Sequence, residues 1–354
     1  ERRPTATSIR IALPSQDLPI LVRARRGEPS RDVQTGCDAT QEIRAARANR
    51  GCGSRARARE GSRFMGWPVI MHVNYCEQGQ SLAEICRKAV DWGFDGVEFR
   101  RKRTGVDEEP EAYLDALAAG VQASGLKHVL FGYPTANLMT PDAGERAREV
   151  EGAIAFYRMA RERFPILLCN AFSGPLLNPD KSVPYSEYHR QGSGIATEEH
   201  YQWAAEGFRA LAPVAEELGF RFAFELHMGY LHDLPASARK LCDMVGHPAV
   251  GANLDYGNII YFQGRPSLAE SIRVLGDRLY YVHLKNSVAL PSGGRLPTAL
   301  ADGEINHREY LRLMCEAGFD GPVCVEAPRP GDREWFAQQD LAYIRAVMAD
   351  LGLE

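Results

Sequence analysis

From residue 68 onward, apolar positions follow two rhythms that take turns along the chain. Short runs occur at 69–75 (VIMHVNY), 96–100 (GVEFR), 127–133 (KHVLFGY) and 166–172 (ILLCNAF). Four more follow at 221–226 (RFAFEL), 250–256 (VGANLDY), 279–285 (LYYVHLK) and 322–327 (PVCVEA). Their length and their β-branched and aromatic content predict strands. Between them, apolar residues return every three or four positions. This predicts helices at 81–93, 111–125, 144–164 and 198–219, among others. Gly93, Gly125, Gly219 and Gly318 each stand a few residues before a strand, where a helix commonly stops.

Eight strand–helix units in succession predict an α/β chain folded as a single (β/α)8 barrel over residues 65–354. An open doubly wound sheet more often uses about six strands and gathers its chemistry at one crevice. Here the chemistry-bearing residues recur at strand ends throughout the repeat, and only closure into a ring brings them together. Two long interruptions, 170–200 and 286–307, follow the fourth and seventh strands. Both are expected to rise over the C-terminal face, as structureless loops rich in Pro, Gly and Tyr that suit a substrate-contacting lid.

Charge separates the first 64 residues from the rest. They hold 14 Arg, no Lys and 7 acids, a balance of +7, whereas residues 65–354 hold 28 basic and 39 acidic residues, a balance of −11. The Arg-rich part has few aromatics and little periodicity, so it is expected to be a disordered extension without its own core. A nucleic-acid tail, a targeting segment and an over-long gene start compete for it. The third fits best, because Met65 opens the ordered pattern and seven acids argue against a transit peptide. No stretch approaches 18 consecutive apolar residues, so no membrane span is expected. The eight cysteines include no CxxC pair, and Cys169 and Cys324 lie in strand-like runs, which suggests a reducing, cytoplasmic setting.

The chemistry concentrates in the last four strands. Glu225, Asp255, His283 and Glu326 each stand where an apolar run gives out into a loop. Three converging carboxylates repel one another unless a cation joins them. Oxygen-rich ligands with one imidazole suit Mn2+, with Mg2+, Co2+ or Zn2+ as alternatives, and leave coordination positions open for substrate. Such a centre polarises a sugar carbonyl and its neighbouring hydroxyl, while Glu225 and Glu326 take and return a proton from opposite sides.

The motifs FDGVEF (94–99), FELH (224–227), NLDYGN (253–258), YVHLKN (281–286), GEINHREYL (303–311) and GFDGPVCVE (318–326) follow one another in order. With them, the stretch from about 69 to 349 resembles the sugar isomerase/epimerase superfamily of xylose-isomerase-like TIM barrels. That superfamily includes ketose 3-epimerases, inosose dehydratase, hydroxypyruvate isomerase and endonuclease-IV-type repair enzymes. The resemblance implies a metal held by Glu225, Asp255, His283 and Glu326, with the two glutamates as proton carriers. The main expectation is an isomerase or epimerase of a keto-sugar. The alternative is a metal-dependent lyase (a dehydratase, decarboxylase or C-glycoside-cleaving enzyme) acting on an oxo-sugar or oxo-glycoside. Many members carry His three residues after the sixth-strand Asp; this chain has Asn258, which can hold a hydroxyl but cannot shuttle a proton. A homo-oligomer or association with a second subunit is in keeping with the resemblance.

Further candidates to touch substrate are His227 and Lys285, each two residues beyond a ligand, Glu98, His128 and Asn170 at strand ends, and Arg329 for an anionic group. His72 and Asn74 in the first strand are weaker candidates of the same kind. Plainer readings stand beside these. The glutamates can pair with an arginine, Asp255 can cap the turn before Gly257, and His283 can be a satisfied core histidine. The acidic barrel portion argues against a nucleic-acid partner, and no phosphate-binding loop points to a nucleotide. A non-catalytic barrel would more readily have lost a ligand.

Overall fold

The computed structural model describes residues 66–354, apart from 133, 134 and 292. The expectations for residues 1–64 lie outside the described residues. Seven strands come first: β1 (Val69–His72), β2 (Gly96–Arg100), β3 (His128–Gly132), β4 (Ile166–Ala171), β5 (Phe222–Glu225), β6 (Val250–Asp255) and β7 (Leu279–Leu284). Two short strands follow, β8 (Ser287–Ala289) and β9 (Arg295–Pro297), and then β10 (Val323–Val325). β1 to β7 and β10 pair in parallel and close into a ring, β10 lying between β7 and β1. The eight expected strands are all present in the expected order.

The helices are α1 (Leu82–Trp92), α2 (Pro110–Ser124), α3 (Ala143–Arg161), α4 (Glu198–Leu218), α5 (Pro235–Val245), the single turn α6 (Tyr256–Ile259), α7 (Leu268–Leu275), α8 (His307–Glu316) and α9 (Arg333–Leu351). Their ends follow local chemistry. Ser81 and Glu84 form a capping box that satisfies the free amides opening α1. α4 stops at Gly219, whose φ of 80° is a left-handed conformation that a side chain would resist.

The apolar core has two parts. The larger fills the space between the ring and the helices. The smaller lies inside the ring, formed by Ile70, Leu130, Leu168, Ala223, Tyr281 and Cys324. Alternate strand residues share a face, so the positions two residues further on form the next layer up. That layer reads His72, Gly132, Asn170, Glu225, His283 and Glu326. An apolar floor and a polar upper layer thus come from one period-two pattern repeated around the ring.

The two long interruptions differ from expectation in one respect. Residues 286–307 contain the antiparallel hairpin β8–β9, not a structureless loop. The 170–200 segment has two short 3-10 turns and an isolated bridge from Pro175 to Tyr230, which ties it to the chain after β5. Among the described residues, no helix is long and apolar enough to cross a membrane.

Candidate metal centre and active site

Glu225, Asp255, His283 and Glu326 meet at the C-terminal rim of the barrel, all four buried, with one ligand atom from each within 4.8 Å of the others. Asp255 divides its oxygens between two tasks. Oδ1 accepts the Asn258 amide at 3.1 Å and caps α6, as the plainer reading held, while Oδ2 lies 3.9 Å from His283 Nδ1. Among the described residues no arginine pairs with Glu225 or Glu326; the cation beside them is Lys285.

The donor set fits a divalent cation on a direct structural test. His283 Nδ1 and Glu326 Oε2 lie 2.7 Å apart, both buried; His283 Nδ1 has no well-aligned hydrogen-bond partner, and Glu326 Oε2 faces the Lys285 ammonium at 3.1 Å. Two buried lone-pair atoms left this close call for a shared positive charge. His283 Nε2 is 2.8 Å from Glu98 Oε2, an arrangement in which Nε2 donates and Nδ1 is left for the metal. Glu98 is fixed in turn by Tyr281 Oη at 2.7 Å and Asn170 Nδ2 at 3.1 Å. Gly132 makes this possible, because a Cβ there would collide with the Glu98 carboxylate. A second grouping, Glu98, His283 and Cys324, shares the same imidazole. Burial raises the Cys324 thiol well above its ordinary pKa, which disfavours it as a ligand.

Charge in the centre is strongly coupled. Burial opposes a charged His283, yet Glu98, Glu225 and Glu326 raise its pKa well above the ordinary value. Burial likewise opposes the Glu326 carboxylate, but His72, Lys285 and His283 hold its pKa well below the usual range. For Asp255 burial wins, and its pKa is pushed up to about 6 despite Lys285. Glu98 is held down to about 2, against burial, chiefly by His283.

A cavity of about 250 Å3 opens over this cluster and is bordered by Glu98, Asn170, Glu225, His227, Lys285 and Glu326. His72, Asn74 and Arg100 complete its charged and polar wall, with Phe172 and Tyr230 on the apolar side. His227 Nδ1 lies 2.9 Å from the Met228 carbonyl, to which it can donate, leaving Nε2 as an acceptor.

Three expected substrate contacts are placed elsewhere. His128 opens β3 rather than ending it, so its side chain is at the N-terminal end of the ring, where its register partner is Gly96. Asn258 is buried outside the cavity wall and donates to Glu225 Oε1, Asp255 Oδ2 and the Leu226 carbonyl, so it braces the ligands. The Arg329 guanidinium is held by Asp340 and the Ala327 carbonyl at 2.7 and 2.8 Å, over the Phe336 ring, away from the cavity.

Other contributors were not singled out in the sequence. Tyr281 stands two residues before His283 on the same strand face, and Asn253 stands two before Asp255, donating to Asn170 at 3.0 Å. Strand alternation carried that signal. His232 carried none: it lies beyond β5, with Nδ1 2.6 Å from the Glu225 carbonyl and Nε2 accepting the Ser173 amide. Arg100 grips Asn74, whose Nδ2 donates to Glu326 Oε1 at 3.2 Å.

The family description "Xylose isomerase-like TIM barrel" matches residues 86–347. The chain belongs to this family. Over 150 residues, 38% of its length, it is 25% identical to an inosose dehydratase of Clostridium perfringens. It is 27% identical over 149 residues to inosose dehydratase 1 of Bacillus cereus. The chain spans about half the length of these curated relatives. Among solved structures it is similar to a xylose isomerase-like TIM-barrel protein from Mycobacterium smegmatis in complex with magnesium (TM-score 0.62, 19% identity, 80% of this chain and 98% of that one). It is also similar to D-psicose 3-epimerase with D-tagatose from Clostridium cellulolyticum H10 (0.63, 19%, 79% and 99%). At this identity the structural likeness speaks for the fold alone.

Proposed function

We propose that the chain is a divalent-metal-dependent enzyme acting on an oxo-sugar, and that its reaction is an elimination of the dehydratase type. The observation that carries the enzymatic reading is the convergence of Glu225, Asp255, His283 and Glu326 beneath a polar cavity, with His283 Nδ1 buried and without a well-aligned hydrogen-bond partner. A cation in this set, with manganese the proposed ion, would polarise the substrate carbonyl and its neighbouring oxygen. The protein residues do the rest. Glu326, bordering the cavity and steadied by Asn74, takes the proton from the carbon beside the carbonyl. Electrons from that C–H bond form the new C=C bond, and the hydroxyl one carbon further on leaves as water, taking the Nε2 proton of His227 in its imidazolium form and leaving the neutral ring with Nδ1–H on the Met228 carbonyl. Glu225, held by Asn170 at 2.6 Å, faces the same cavity and helps keep the substrate in register.

The motifs of the chain point first to isomerisation or epimerisation; similarity in sequence to inosose dehydratases supports placing elimination ahead of it. Epimerisation remains as a second reading because two carboxylates of the ligand set, Glu225 and Glu326, both border the cavity. The test is NMR in D2O with added Mn2+ and a panel of inososes and free keto-sugars. Loss of water with a new unsaturated or tautomerised product supports elimination. Solvent deuterium in recovered or epimerised substrate, with no water lost, selects epimerisation. A panel that shows neither loss of water nor deuterium incorporation with any substrate would overturn the enzymatic proposal.

A further inference from the structure

We propose that Lys285 is an internal counterion for the metal-free centre, holding its carboxylates together until a divalent cation enters and then leaving them. The Lys285 ammonium lies 2.7 Å from Asp255 Oδ2, 3.1 Å from Glu326 Oε2 and 3.8 Å from Glu225 Oε1. One side chain therefore reaches all three carboxylates of the ligand set. Two of its contacts are to Asp255 Oδ2 and Glu326 Oε2, the same oxygens that face His283 Nδ1. A dication bound by those oxygens would meet a full positive charge within a few ångströms, in a buried site that screens poorly.

The placement is built into the backbone. Gly257, in the turn after β6, leaves the space that the Lys285 stem occupies; a Cβ on Gly257 would collide with Lys285 Cβ. That close approach aims the ammonium back at Asp255. The same side chain is 23% exposed and borders the cavity, so rotation about its outer bonds takes the ammonium from the carboxylates into the cavity. There it is a donor to a substrate oxygen. Lys suits this exchange because it is a compact single charge on a flexible stem, whereas an arginine fork would hold its carboxylates more rigidly. Metal affinity is thereby reduced, and the metal-free protein avoids three unpaired buried carboxylates.

This inference rests on the metal centre and not on the choice of substrate, so its tests use metal alone. The first is acylation of the metal-free protein with and without Mn2+, read at each of the six lysines by mass spectrometry. Modification of Lys285 is expected to accelerate roughly tenfold on loading, with Lys127 and Lys240 unchanged, because its head group moves from between the carboxylates into the open cavity. An unchanged or slower rate at Lys285 overturns the proposal. The second compares Mn2+ titrations of the wild type and Lys285→Met by calorimetry at pH 8. The variant is expected to bind about tenfold more tightly, and its metal-free form to melt below the wild type. Equal or weaker binding overturns the proposal. Absence of Mn2+ binding to the wild type overturns both this inference and the metal centre, whereas a loaded but substrate-inert enzyme leaves it standing.

Discussion

The two halves of the barrel rim carry opposite burdens. The half from β5 through β7 to β10 supplies Glu225, Asp255, His283 and Glu326, a set that repels itself without a cation. The half from β1 to β4 supplies Asn74 just past β1 and Asn170 on β4, which hold Glu326 and Glu225 on the adjoining strands, and Glu98 on β2, which reaches across to His283 on β7. One side brings the charge and the other fixes its direction. Closure of the ring is what supplies the partners of His283 and Glu326, whereas Glu225 is held from the next strand and Asp255 by Asn258 in the turn that follows it.

That division can be tested by removing one side at a time. The largest effect is expected from the ligand half: Glu326→Gln keeps an oxygen for the metal but loses the base. Turnover should fall by about 10^2 to 10^4, with Mn2+ still bound by calorimetry. Full turnover would remove Glu326 from the proposed role. Acid should act on the support beneath the ligands. Burial lowers the His232 pKa to about 4, so the fold holds this imidazole neutral between the Glu225 carbonyl and the Ser173 amide. The unfolded chain protonates it near 6.5. Its contribution is therefore complete above about pH 6.5 and is lost as pH falls through 4, on the order of 3 kcal/mol. Chemical denaturation between pH 7 and pH 4 should show this loss, and His232→Asn should flatten the profile.

On the orienting half, Glu98→Gln should weaken Mn2+ binding about 10- to 100-fold while leaving all four ligands in place. An unchanged calorimetric affinity would show that the far side merely packs. The smallest effect on turnover is expected at Arg329, outside both halves. Arg329→Met should leave kcat unchanged, yet lower stability by roughly 3 kcal/mol, because the buried Asp340 carboxylate loses its cation and keeps only the Tyr75 hydroxyl and Leu300 amide. A loss of kcat without a loss of melting temperature would restore Arg329 to the substrate wall.

Much of the fold was legible because its signals are local. Runs of strand length followed by 3.6-period stretches located the eight strands and several helices, and the acid or imidazole at the end of each late run marked the four side chains that converge. Legibility failed where direction or partner depends on distant chain. His128 lies in a correctly placed strand but at its opening, and apolar periodicity does not say which end of a run reaches the cavity. Arg329 is close in sequence to Glu326, but its guanidinium is claimed by Asp340 on α9. Asn258 stands where a substrate contact was expected, and it turns instead to Glu225 and Asp255. The loop at 286–307 looked irregular because strands of three residues are too short to show a period.

The amino-acid order by itself determined the alternation of strand and helix, the apolar floor with its polar layer two residues above, and which four acid and imidazole side chains stand at the ends of the last strands. These follow from side-chain spacing along a single segment. Only the tertiary structure decided that Glu98 holds His283, that Gly132 and Gly257 make room for Glu98 and Lys285, and that one ammonium spans three carboxylates. Those contacts join residues up to 185 positions apart. Their energies depend on burial and distance across a closed ring, which no local pattern encodes.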